Sequence, residues 1–299
     1  MSEPRAHGRD EVERELDLAD VLSGESGVVE GRRQLLRARS ADLLDAVAAW
    51  SRLVPPRLAR AARTGQSRSV HVAGVYGDAS AATMEAAMRE LGRGHHDLTF
   101  ALGATGEAAP DLSTATALTS LDGGKFENLN ALLRDRPRQD SDWLLIIDDD
   151  VELPHGFLDR FLFLADRFGF QLAQPALTRA SHAAWNVMRR ERGTVARLTR
   201  MVEIGPLTAL HRSVVGELLP FPDVKMGWGL DSWWGALALE RGWRLGVVDA
   251  AAVRHELRAT AASYDRREAE LEAAALLTSR PHIDRRTALT VAERYRSWE

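Results

Sequence analysis

The chain has 299 residues, 45% of them hydrophobic and 27% charged, which fits one large α/β domain with extensions or two smaller domains and excludes a wholly disordered chain. Its net charge of −4 gives no basic excess for nucleic acid, and no apolar run reaches the roughly 20 residues that span a bilayer. Cysteine is absent, so disulfides, thiolate nucleophiles and Cys-bound metals are excluded and any metal must rest on carboxylate or imidazole.

The polar start, MSEPRAHGRDEVEREL, does not read as a signal peptide, and a cytoplasmic address is the expectation. Residues 1–30 hold nine acids and three arginines, whereas residues 31–68 hold nine arginines and two aspartates. In the second block Leu43, Val47, Trp50 and Val54 recur at helical spacing, and Pro55-Pro56 is expected to stop that helix. Residues 1–66 therefore read as a helical extension. It either packs on the main domain with its arginines solvated, or makes a peripheral membrane or partner contact through 31–68.

From residue 69 strands alternate with helices. Val70–Val75 reads as a buried strand, followed by a helix with Met84, Met88 and Leu91 on one face. Strands are expected at 98–102 and 114–119, then a helix after Gly123-Gly124 carrying Phe126, Leu129, Leu132 and Leu133. Trp143–Ile147 is the clearest strand and runs into three aspartates. A helix after Pro154 turns Phe157, Phe161, Leu164, Ala165 and Phe168 inward. This alternation predicts an α/β fold with a mixed, mostly parallel sheet flanked by helices, where ligands bind at the carboxyl ends of strands. The arginine-rich stretch 178–200 shows few element signals and is expected to be a long mobile loop. Residues 201–210 look extended, a helix runs from Asp231 to Arg241, and a strand begins at Arg244. Residues 67–258 are read as one catalytic-type domain and 259–299 as a charged helical tail.

Asp148-Asp149-Asp150 concentrates negative charge at the end of an apolar strand, which calls for a compensating cation. Extended alternation points Asp148 and Asp150 the same way, about 7 Å apart, a spacing suited to a divalent ion such as Mg²⁺ or Mn²⁺. The plainer reading is an acidic turn before Pro154. Gly227-Trp228-Gly229-Leu230-Asp231 places an indole in a tight loop before a helix. Asp231 is either that helix's cap or a general base, and Trp228 is a candidate sugar-stacking surface. Four of the eight tryptophans, Trp228, Trp233, Trp234 and Trp243, fall within sixteen residues; Trp234 and Trp243 are expected in the core. His255 follows a late strand, as Asp150 follows an earlier one, and an imidazole there shifts preference toward manganese. Gly123-Gly124-Lys125 opens a helix where free N–H groups and a lysine suit a phosphate, or merely form a turn and cap.

An aspartate triplet after an apolar strand, then GWGLD, then a strand ending in VRHE, resembles the GT-A-fold glycosyltransferases, with family 2-type enzymes nearest. The VEI…GWGLD…GVVD pattern is also similar to a plant family. The resemblance covers roughly residues 69–257. It implies that Asp148 and Asp150 match the pair binding the metal and the sugar-nucleotide diphosphate, with Asp149 beside them. It also implies that His255 completes the metal shell and that Asp231 is the base of inverting members. GGKFENLN, with Lys125 and Asn128, matches the segment helping to hold the nucleotide. Leu102-Gly103-Ala104-Thr105-Gly106 stands where the family usually has an acidic, serine-containing turn that reads the base.

The expected activity is transfer of a sugar from a UDP- or GDP-sugar to the hydroxyl of an unassigned acceptor, with Mn²⁺ or Mg²⁺ as cofactor. Tyr76 is expected to stack on the base, Trp228, Gly229 and Trp233 to line the acceptor, and the 178–200 loop with His182 and Trp185 to close over the donor. Two rivals stand beside it. Asp148-Asp149-Asp150-Val151 also resembles the start of haloacid-dehalogenase-like phosphohydrolases, although three strands precede it and no late GDxxxD is found. The other rival is a glycosyltransferase-like module serving only to bind a partner. A Rossmann dehydrogenase is disfavoured because Gly74-Val75-Tyr76-Gly77 lacks G-x-G-x-x-G.

Overall fold

A computed structural model of the chain describes residues 17–23, 29, 31–255 and 265–299. The acidic block of residues 1–16, and Glu256 of the VRHE motif, lie outside the described residues. The strands are β1 (Ser69–Tyr76), β2 (Asp97–Ala104), β3 (Thr116–Leu118), β4 (Trp143–Ile147), β5 (Val151–Glu152), β6 (Leu172–Leu177), β7 (Ala196–Thr199), β8 (Leu207–His211), β9 (Leu245–His255) and β10 (Val291–Tyr295). The helices are α1 (Gly31–Ser51), α2 (Val54–Arg63), α3 (Ala81–Leu91), α4 (Lys125–Asp135), α5 (Phe157–Arg167), α6 (Arg212–Leu218), α7 (Leu230–Arg241), α8 (Arg266–Thr278) and α9 (Arg285–Ala288).

The sheet order is β10-β7-β9-β6-β8-β4-β1-β2-β3, with β5 paired to β9. Strands β3, β2, β1 and β4 are parallel, and β6 and β9 run the same way beyond the reversed β8. The architecture is thus mixed and mostly parallel. Strand β4 shows why helices cover both faces. Trp143, Leu145 and Ile147 pack into one core with Met84, Phe157 and Phe161, while Leu144 and Ile146 pack into a second with Phe126, Val214 and Trp234.

The sequence expectations need four corrections. Pro55-Pro56 opens α2 rather than stopping the preceding helix, because the first helical turn has no N–H partners for proline to lose. The segment 178–200 is not a mobile loop. Arg197, 2% exposed, donates from Nε to Asp249 Oδ2 (2.9 Å) and from Nη2 to Asp249 Oδ1 (3.0 Å), and Thr194 also donates to Asp249 (2.8 Å). Residues 259–299 are not simply helical, since β10 joins the sheet edge by antiparallel pairing with β7. Strand β6 and helix α6 carried no signal that the sequence reading recognised.

Removing one partner of a buried ion pair strands the other without water. Asp249→Ala is therefore expected to lose about 3–5 kcal/mol of stability in urea melts, and the Arg197→Met/Asp249→Leu double variant less than Asp249→Ala alone. Equal melts for wild type and Asp249→Ala would contradict the role given to this pair.

Candidate active site

The three aspartates after β4 are satisfied in three different ways. Asp148 Oδ1 lies 2.6 Å from Lys125 Nζ, which also donates to the Ile204 carbonyl (3.1 Å). Burial raises the Asp148 carboxyl and Asp150 adds to that rise, while Lys125 and His255 oppose it. Asp149 turns elsewhere, accepting from the Gly77 N–H (3.0 Å) and from the Ser80 hydroxyl, and so ties the end of β1 to the end of β4. Asp150, 8% exposed, contacts His255, with Nε2 and Oδ1 3.1 Å apart. The sheet explains this meeting: β5 pairs with β9 so that Val151 stands opposite His255. For His255 burial lowers the imidazole's pKa, but Asp150 and Asp148 outweigh it and the net shift is upward.

A second acidic pair lies beside the first cluster. Asp231 is 8% exposed; its Oδ2 accepts from the Trp185 indole (3.0 Å) and its Oδ1 from the Ser232 N–H (2.9 Å). Burial pushes it up to about 6 against the opposing pull of the Trp185 hydrogen bond. The helix cap is Gly229, so the capping role is not what Asp231 does. Glu203 is 6% exposed and accepts from the Trp185 backbone N–H (2.7 Å). Burial, reinforced by Asp231, raises it to about 8. Trp185 thus bridges both acids, one through its backbone and one through its ring.

Residues 203–205 join the two groups. Glu203 holds Trp185, Ile204 accepts from Lys125, and Gly205 lies against the Lys125–Asp148 pair. A Cβ on Gly205 would stand 2.6 Å from Asp148 Oδ2 and 2.8 Å from Lys125 Nζ, so a side chain here would push the two charged ends aside. Gly227, at φ +78°, lies against the Phe126 ring where a side chain would overlap it. The loop that carries Trp228 is held from outside by α8, where Glu272 accepts from the N–H groups of Lys225 (2.5 Å), Met226 (3.0 Å) and Gly227 (2.8 Å).

Trp228 is half-buried in this loop, and Gly229 packs on Leu277 of α8. Trp233 does not join them. Two residues along a helix turn roughly 200°, which sends Trp233 away from Asp231, into the core and under the Arg280 guanidinium (4.1 Å). Its expected acceptor role is corrected accordingly. Tyr76 is 1% exposed, with its hydroxyl between Thr116 (2.9 Å) and the Ala109 N–H (3.1 Å), so no open ring face remains for a base. Asn128 is buried and donates to the Gly123 carbonyl (2.7 Å), closing its own turn. The Gly124 and Phe126 N–H groups already bond Glu127 and the Lys225 carbonyl, which leaves the Lys125 ammonium, not these amides, facing the aspartates.

His182 and Trp185 are buried, at 9% and 2% exposed. His182 meets His255 edge-on at 5.8 Å and is lowered to about 4, chiefly by burial. Glu203 was missed at the sequence level; a lone acid between Val202 and Ile204 in an apolar extended run was the available signal.

A second titratable cluster, His95, His96 and Asp159, lies at the opposite end of β1 and β2. There the Arg68 N–H donates to His96 Nδ1 (3.1 Å), so the neutral ring carries its proton on Nε2, the nitrogen that faces Asp159 at 3.6 Å. That proton disqualifies Nε2 as a metal ligand in this arrangement.

No family model matches the chain, and no curated protein matches it. More than a hundred solved chains are similar, among them these three at low identity. GalNAc-T7 with UDP, GalNAc and Mn²⁺ aligns at 12% identity and TM-score 0.47 over 64% of this chain and 44% of its own. The mannosyltransferase PcManGT from Pyrobaculum calidifontis, with GDP-Man and Mn²⁺, aligns at 15% and 0.48 over 75% and 68%. S. aureus TarS 1–349 aligns at 13% and 0.44 over 63% and 60%. The chain therefore spans less than half the length of the first of these. Its mixed, mostly parallel sheet agrees with the GT-A-like architecture that the motif resemblance implies.

The raised Glu203 carboxyl has a consequence for stability. Below the unfolded carboxyl's ordinary range both states are protonated and the residue costs nothing. As pH rises toward 8 the unfolded chain releases a proton that the folded chain keeps, and stability is lost. Glu203→Gln is therefore expected to match wild type in thermal melts near pH 4 and to exceed it increasingly up to about pH 8. Parallel curves across that range would show that Glu203 is not buried as described.

Proposed function

We propose that the chain is a metal-dependent glycosyltransferase that moves a sugar from a nucleoside-diphosphate sugar to an acceptor hydroxyl with inversion. The observation that carries this reading is the joining, through residues 203–205, of the Asp148–Asp150–His255–Lys125 cluster to a buried carboxylate, Asp231. One group suits a pyrophosphate's charge and the other a proton's removal.

Two carboxylates and an imidazole are the donor types that Mn²⁺ or Mg²⁺ takes, and the 3.1 Å contact between Asp150 Oδ1 and His255 Nε2 supports placing the ion there. Asp148, Asp150 and His255 would hold the ion, which when bound supplies neutralisation of the charge on the departing diphosphate. Lys125 adds a second positive charge on the same side. Asp231 accepts the proton of the acceptor hydroxyl as its oxygen bonds the anomeric carbon. The bond from that carbon to the diphosphate oxygen breaks, and the nucleoside diphosphate leaves with the electron pair. Trp185 orients Asp231 through the indole N–H. Trp228, half-buried on the loop that leads into Asp231, is the candidate to contact a sugar ring. The phosphohydrolase reading is disfavoured because three strands, β1 to β3, precede the aspartate motif and no late GDxxxD is present in the sequence.

Titration calorimetry with UDP and GDP in the presence of Mn²⁺ tests the assignment. Asp150→Ala is expected to lose metal-dependent binding, while Asp231→Asn keeps it and loses transfer or slow donor hydrolysis by 10²-fold or more, on the order of general-base contributions. Unchanged binding in Asp150→Ala rejects the metal site. With Asp231 near 6, turnover should rise with pH through about 6 as the base ionises. A rate flat across that range would remove Asp231 from the proton transfer.

A further inference from the structure

Helix α1 is inside out for a packed surface helix. Its inward side is alanine-rich and acidic. Asp42 accepts from the N–H groups of Arg179 (2.8 Å) and Ala180 (3.0 Å), and Asp45, 3% exposed, binds Arg179 (2.9 Å) and Arg192. Its large apolar side chains point to solvent: Leu36 is 63% exposed, Leu43 65%, Val47 58% and Trp50 59%. At 100° per residue these four fall within about 60° of arc, a continuous strip along the helix. Arg32 and Arg39 border it on one side, and Arg33 and Arg37 on the other. Both acids of the helix are already engaged with the body, so the outward face carries arginines, apolar groups and the uncharged Ser40 and Ser51, with no carboxylate. A strip of this size left in water marks a contact surface.

We propose that this face of α1 docks on an anionic lipid bilayer, with the strip entering the headgroup–acyl boundary and the arginines meeting lipid phosphates. Charge selects this occupant over a second copy, since two such faces would bring their arginines together. No helix among the described residues is long and apolar enough to cross a membrane, so the contact is peripheral. The stretch that grips Asp42 and Asp45 also carries His182 and Trp185, and a docked α1 therefore sets the candidate site beside the bilayer.

Flotation of the full chain with vesicles tests this directly. Wild type should bind vesicles of phosphatidylcholine with phosphatidylglycerol and not those of phosphatidylcholine alone. Leu43→Glu/Trp50→Glu should lose that binding at least tenfold, and each of Arg33→Gln and Arg37→Gln should weaken it about fivefold. The substituted positions are exposed, so circular dichroism melts should be unchanged. Brominated lipid should quench the part of wild-type emission that Trp50→Phe lacks. Three results overturn the proposal: no binding to the anionic vesicles, sedimentation of a dimer that Leu43→Glu/Trp50→Glu dissolves, or Trp50 shielded from acrylamide without lipid.

Discussion

Three carboxylates in a row at the end of a buried strand impose the constraint from which the rest of the molecule follows. Each is a carboxylate crowded by the other two, and each has its own partner. Lys125 at the start of α4 meets Asp148, the turn after β1 meets Asp149, and His255 at the far end of β9 meets Asp150. Satisfying the triplet therefore locks together two sheet ends and a helix start. The same requirement explains why residues as distant as 125, 150 and 255 occupy one site.

The neighbouring acids are handled by the opposite device. Asp231 and Glu203 are governed by burial, which raises both even though His255 opposes the rise at Glu203, and Trp185 supplies hydrogen bonds that keep them oriented. One side of the site thus sets a lysine and an imidazole against its carboxylates, and the other holds two acids whose hold on a proton is strengthened by burial. That division of labour is what a transfer reaction with an anionic leaving group and a neutral attacking hydroxyl asks of a protein. The electrostatic contrast rests on a short segment, 203–205, whose middle carbonyl and glycine touch the charged side while its glutamate serves the neutral side.

Where local pattern and environment coincide, the sequence is legible. The WLLII strand, the Met84–Met88–Leu91 face and the aspartate triplet each state their role in a few residues, because alternation and helical period reflect burial directly. Strand β6 escaped because Gln174 and Pro175 interrupt an otherwise apolar run, although Gln174 is buried and serves as acceptor for the Glu203 N–H. Arginines at 189 and 197 fall in a stretch that read as a mobile loop, yet Arg189 donates to the Arg179 and Ser181 carbonyls and Arg197 to the Val187 carbonyl and Asp249. Charge in a sequence says that an ion exists, not whether its partner lies in water or in the fold.

By itself, then, the sequence determined the α/β alternation, the position of the acidic strand end, and the residue types competent for metal and proton chemistry. These depend on neighbours within a few positions of one another. Only the tertiary structure decided that His255 meets Asp150, that Trp233 turns from Asp231, that Tyr76 is sealed, and that Glu203 shares the site. Those outcomes are set by strand order, by register and by which helix face finds the core, all products of contacts between residues far apart in the chain, which no local periodicity encodes.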